Sequence, residues 1–116
     1  MSRDHILDQT AIENLRALGD EEGDDSFLRE VIGIFVEDTP VRLKELRDSH
    51  AAGDQTTFTR AAHSIKGSSS NVGAKRLCLI AQALEADSRT SIDGLDSRLG
   101  ELEASLAEVK AALERL

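Results

Sequence analysis

A chain of 116 residues with 14 lysines and arginines against 22 aspartates and glutamates, net charge −8, has room for one core and none for a second catalytic module such as an ATP-binding domain. The acidic balance argues against nucleic acid or an anionic membrane as a partner, and a single cysteine, Cys78, rules out an internal disulfide. Three phenylalanines with no tryptophan or tyrosine imply an aliphatic core, which suits helix packing better than a β-sandwich. The segment Met1 to Leu7 lacks the apolar core of a signal peptide, and no apolar run approaches the length of a membrane span, so a cytoplasmic protein is expected. No set of residues has metal-ligand spacing, and no cofactor is expected.

Thr10-Ala-Ile-Glu13 has the spacing of a capping box, and Ile12, Leu15 and Leu18 follow at helical intervals until Gly19 offers a C-terminal cap. This predicts a short first helix over about 9–18. Asp20 to Asp25 reads as a solvated acidic loop whose last aspartates cap the next helix. The second helix carries Phe27, Leu28, Val31, Ile32, Ile34 and Phe35, meets Pro40, and resumes in phase with Leu43 and Leu46. A proline there removes a backbone bond and crowds the preceding turn. One long kinked helix is expected rather than two abutting ones, ending by Gly53, with Asp54 capping the third helix.

On a wheel of about 100° per residue, Phe58, Ala61, Ala62, Ile65, Ser69 and Val72 of that third helix fall in one stripe. His63 lies roughly 150° from the centre of the stripe, beside Gly67 and Ser70 with Lys66 at the flank, and is therefore expected to face solvent. Gly73 closes the helix, and Ala74 opens a fourth with Leu77, Ile80, Ala81 and Leu84 inside. So short a link makes the two helices antiparallel neighbours, which brings Lys75, Arg76, Gln82 and Glu85 towards the histidine-bearing face or the helix lining it. After a polar stretch from Ser88 to Gly94, Leu95, Leu99, Leu102, Leu106, Val109, Leu113 and Leu116 recur at spacings of four and three. Such a seam serves a dimerising coiled coil or an inward-facing bundle helix equally. The inward reading, and with it a monomer, is preferred, because the other helices need an apolar partner.

Lys66 and Gly67, three and four residues after His63, are its neighbours on the helix surface. The lysine supplies positive charge to an anionic group on the ring, and the glycine removes a side chain that would crowd its approach. A glycine inside a helix costs about 1 kcal/mol relative to alanine, so its presence here points to close approach of a partner. From Gln55 to Leu84 there is no acidic residue, while Arg60, Lys66, Lys75 and Arg76 fall within that span. The histidine thus sits in the one locally basic region of an acidic chain, which suits a partner surface carrying carboxylates and a phosphate. His5 and His50 read as surface residues, Cys78 as a small buried hydrophobe, and Ser68 and Ser69 as close-packing positions.

The run His63-Ser-Ile-Lys66-Gly67-Ser-Ser-Ser70-Asn-Val-Gly73-Ala74, with Arg60-Ala61-Ala62 before it and Leu77 and Leu84-Glu85 after it, resembles the signature of histidine-containing phosphotransfer (HPt) domains. Phe27-Leu28, Ile34-Phe35, Glu37 to Pro40 and Ala52-Gly53-Asp54 extend the resemblance over most of the chain. It implies an all-α fold, an antiparallel up-down four-helix bundle over about 25–116 with a short additional N-terminal helix, residues 1–116 forming one domain. It also implies a phosphorelay intermediate without kinase or hydrolytic activity of its own. His63 would accept a phosphoryl group on its distal ring nitrogen from an aspartyl phosphate and pass it on, Lys66 would stabilise the transferred charge, and Gly67 would give clearance. Arg60, Ser70, Lys75, Arg76, Gln82 and Glu85 would contact the partner. The partners would be receiver domains of response regulators and hybrid histidine kinases, which bring the aspartate and a magnesium ion. Some family members carry a glutamine facing the histidine where Glu85 falls, with Gln82 one turn earlier as the alternative occupant. The resemblance leaves open which group accepts a hydrogen bond from the proximal ring nitrogen.

Two rivals stand beside this reading: an adaptor that binds receivers without passing phosphate, and the phosphoacceptor domain of a larger histidine kinase. The intact His63-Lys66-Gly67 set speaks against the first. The Met1 start and complete-looking bundle favour a free-standing protein over the second.

Overall fold

Aspartate side chains open two of the helices, and in a computed structural model describing residues 6–19 and 23–116 the helices are five: α1 (Gln9–Ala17), α2 (Ser26–Ala52), α3 (Gln55–Asn71), α4 (Lys75–Ser88) and α5 (Asp96–Glu114). No strand occurs among the described residues. His5 and the acidic residues 20–22 lie outside them. Asp54 caps α3 as its sequence position suggests, one carboxylate oxygen accepting from Thr57 N at 3.1 Å and the other from Thr57 Oγ1 at 2.6 Å.

At α1 the structure corrects the expected capping box. Asp8, not Thr10, is the N-cap, accepting from Thr10 N at 3.0 Å. The reason is tertiary: the backbone N–H of Asp8 donates to Gly73 O at 2.7 Å, which anchors the chain just before Gln9 and draws Thr10 and Glu13 inside the helix. Gly19 follows the end of α1 as expected, its N–H donating to Arg16 O at 3.1 Å, but its need for glycine is not conformational. It is not left-handed; instead, a Cβ there would collide with the Asp24 carbonyl.

α2 runs unbroken through Pro40, which lies on its exposed side. On its buried side the fully covered Thr39 hydroxyl is satisfied by donating to Phe35 O at 2.7 Å. The helix ends at left-handed Gly53, and α3 ends in a Schellman motif, with Gly73 N donating to Ser70 O and Ala74 N to Ser69 O. Gly73 is required twice over: its φ is 72°, and a Cβ would press on Ala11 and Asp8.

α2 to α5 form an up-down bundle in which each helix packs on the next in sequence and α5 returns to α2, while α1 lies against α2 and the α3–α4 corner. Leu28, Phe35 and Leu46 of α2, Phe58 and Ile65 of α3, Leu77 and Leu84 of α4, and Leu102 and Val109 of α5 fill the core, each at most 2% exposed. The leucine seam of α5 is spent inside: Leu95, Leu99, Leu106 and Leu113 are buried as well, and Leu116 alone is exposed. Ala61, Ala62, Ser69 and Ala81 let α3 approach its neighbours closely. No helix among the described residues is long and apolar enough to cross a membrane.

Candidate functional site

The stripe of α3 that the wheel identifies is the one the bundle buries, Phe58, Ala61, Ala62, Ile65, Ser69 and Val72 being at most 2% exposed. His63 therefore projects from the opposite face, its side chain 64% exposed. Its position relative to α4 is set from two ends. The Gly73 motif turns the chain at one end. At the other, Gln55 Nε2 donates to the terminal α4 carbonyls of Ser88 and Arg89 at 2.6 and 2.9 Å, and the hydroxyls of Thr59 and Ser88 meet at 2.6 Å.

With the hairpin so registered, Glu85 of α4 stands opposite His63. Its carboxylate lies 2.8 Å from His63 Nδ1, 2.7 Å from Lys66 Nζ and 2.9 Å from an Arg89 guanidinium nitrogen, with only 6% of the side chain exposed. The Lys66 hydrogen bond, helped by that of His63, holds the Glu85 carboxyl below the usual carboxylate range despite the opposing effect of burial. An ionised carboxylate only accepts, so Nδ1 carries the ring proton and donates it. The distal nitrogen, Nε2, is then the one with a free lone pair, and it sits on the exposed ring.

A cleft of about 370 Å³ opens beside this cluster, lined by Gln55, Thr56, Thr59, Arg60, His63, Glu85 and Arg89. Arg60 is thus brought to the histidine. Gly67 is exposed, and a Cβ there would meet nothing within 4 Å, so no intramolecular contact demands the glycine. Ser70 and Lys75 gather elsewhere, in a hollow of about 270 Å³ shared with Asp8 and a half-buried Cys78, where Lys75 Nζ lies 3.5 Å from Asp8. Arg76 and Gln82 are exposed on α4, and neither forms a hydrogen bond or ion pair with His63 among the described residues. The position facing the histidine is held by Glu85 and not by Gln82. Arg89 is the participant that sequence reasoning missed; its signal was the i,i+4 spacing from Glu85 on one helix. No group of acids, histidines or cysteines suited to a metal ion occurs among the described residues.

A family model described as "Hpt domain" matches residues 30–116. Among solved structures, the chain is similar to histidine-containing phosphotransfer protein B (HptB) of Pseudomonas aeruginosa PAO1, with 28% identity, a TM-score of 0.86, and 98% of this chain and 95% of that one covered. It shares its fold with the HPT domain of a sensor hybrid histidine kinase from Shewanella, at 17% identity and a TM-score of 0.75, covering 96% of this chain and 92% of the other. No curated protein sequence matches.

Proposed function

Since the chain belongs to the Hpt domain family, whose members act in phosphotransfer within two-component signalling, we propose that it is a phosphorelay intermediate. Nε2 of His63 takes a phosphoryl group from an aspartyl phosphate of one receiver domain and passes it to another. The observation that carries this reading is the Nδ1–Glu85 hydrogen bond, which directs the nucleophilic lone pair to the exposed edge of the ring. The lone pair forms the N–P bond as the bond between phosphorus and the aspartyl oxygen breaks, and the aspartate departs as carboxylate. The ring keeps its Nδ1 proton and gains positive charge, which Glu85 offsets as a buried carboxylate steadies an imidazolium. Phosphoryl transfer asks chiefly for alignment and charge stabilisation. Lys66, within one turn of the ring, is placed to give the second, and the open space at Gly67 lets a partner come close enough for the first. The receiver supplies the aspartate and the magnesium ion that neutralises the moving charge.

The test is incubation with a panel of receiver domains phosphorylated on aspartate, in the presence of magnesium, following acid-labile, base-stable label on this chain. Label should pass from one or a few receivers and vanish in His63→Gln, whose melting temperature should stay within about 4 °C of the parent because an exposed position contributes little. Receivers that bind equally well to His63→Gln and never transfer label would establish the adaptor reading instead.

A further inference from the structure

Orienting the ring does not by itself require a charge opposite His63. A neutral amide oxygen would accept the Nδ1 proton from the same place, yet the group there is a carboxylate, and it gathers Lys66 and Arg89 as well. Building on the phosphocarrier reading above, we infer that the negative charge of Glu85 sets the lability of the phosphoryl group on His63, keeping it ready to leave.

Three consequences of the geometry act in the same direction. First, once Nε2 carries phosphorus, a carboxylate 2.8 Å from Nδ1 favours retention of the Nδ1 proton, whereas an amide does so less. The protonated ring is the better leaving group. When water or a receiver carboxylate attacks phosphorus, the N–P electron pair returns to Nε2 and the ring departs as a neutral imidazole. Without that proton it would depart as an imidazolate anion and have to recover a proton from solvent. Second, Glu85 holds the Arg89 guanidinium at 2.9 Å, a cation that would otherwise turn to the phosphoryl oxygens and stabilise the phosphorylated state. Third, the carboxylate repels the phosphoryl dianion. The remaining charged group lining the cleft is Arg60, with Gln55, Thr56 and Thr59 uncharged, so Glu85 is the single acid lining it among the described residues. The charge of Glu85 thus favours release of the phosphoryl group over its storage.

The experiment phosphorylates the purified chain with phosphoramidate, a small donor that needs no receiver, and follows the N–P resonance by phosphorus NMR across pH in wild type and Glu85→Gln. In Glu85→Gln the phosphoryl half-life at neutral pH should lengthen about tenfold, and the pH inflection of the resonance should fall by about one unit, the ratio that one unit of ring protonation implies. The two lifetimes should converge in acid, where both rings are protonated; a merely structural role for Glu85 would produce neither the moved inflection nor the convergence. Superimposable profiles would overturn the inference. Wild type alone provides a second test that needs no variant: its inflection should lie above that of free phosphohistidine in the same buffer, and an inflection at or below it would also overturn the inference. Wild-type protein that takes no phosphoryl group would instead remove the phosphocarrier reading, and this inference with it.

Discussion

Replacing Glu85 with alanine separates what its charge contributes to the fold from what it contributes to chemistry. The carboxylate is almost covered, while its partners differ: Lys66 is 30% exposed, His63 and Arg89 about two-thirds. The two exposed partners return to water on truncation, and ion pairs of that kind are worth about 0–1 kcal/mol. The Lys66 bond, charge-assisted and partly shielded, is worth about 1.5–3 kcal/mol, from which the cost of desolvating Glu85 must be subtracted. The net expectation is a loss of about 1–2 kcal/mol at pH 7, or a melting temperature lower by roughly 4–10 °C. The sign with pH follows from the direction of the shift. The carboxyl is held below its ordinary value in the folded chain, so its contribution is fully present above the unfolded value of about 4.3 and is lost as pH falls through the folded one. Thermal melts followed by circular dichroism should therefore show a larger gap between wild type and Glu85→Ala at pH 7 than at pH 3. A gap of the same size at both pH values would mean that the buried methylenes, and not the charge, support the hairpin.

Two other substitutions probe the site from the partner's side. Lys66→Ala should slow transfer from a phosphorylated receiver by about tenfold, less than the roughly 10²–10³ for loss of a fully enclosed charge-stabilising donor because this one is partly exposed; label should still reach His63, and unchanged transfer kinetics would remove Lys66 from its assigned role. Gly67→Gln should raise stability by about 0.5–1 kcal/mol through helix propensity, since nothing in the chain opposes a side chain there. It should impair transfer from receivers while leaving labelling by phosphoramidate intact, and equal loss with both donors would contradict the clearance argument.

What could be read in the sequence was whatever a single helix decides. The 3.6-residue period placed Phe58, Ala61, Ala62, Ile65, Ser69 and Val72 inside because one face of α3 is either buried or not, and that choice needs no knowledge of neighbours. The leucine seam of α5 and the left-handed glycines at 53 and 73 were legible for the same reason. Capping at α1 was not, because Asp8 displaces Thr10 through a bond to Gly73, a residue distant in the chain. Gly19 stands at the helix end its sequence position suggests, but the reason for a glycine there is tertiary: the Asp24 carbonyl and not its own φ. At the site, the exposed direction of His63 followed from periodicity, whereas the Glu85–Lys66–Arg89 cluster depends on how α3 and α4 are registered. The hydrogen bonds of Gln55 to the end of α4 contribute to that register, and they have no signature in local sequence.

Those same bonds, with the Gly73 turn at the far end, latch the α3–α4 hairpin at both extremities and leave His63 and Glu85 in its middle. Helices lose order from their ends inward. Amides around residue 63 are therefore shielded from fraying, and their exchange with solvent should report cooperative opening of the hairpin. A nucleophile mounted this way has its alignment settled before any encounter. Under the proposed relay it presents the same face to donor and acceptor receivers, so little ordering of its own is needed at encounter, whether phosphate is being delivered or collected.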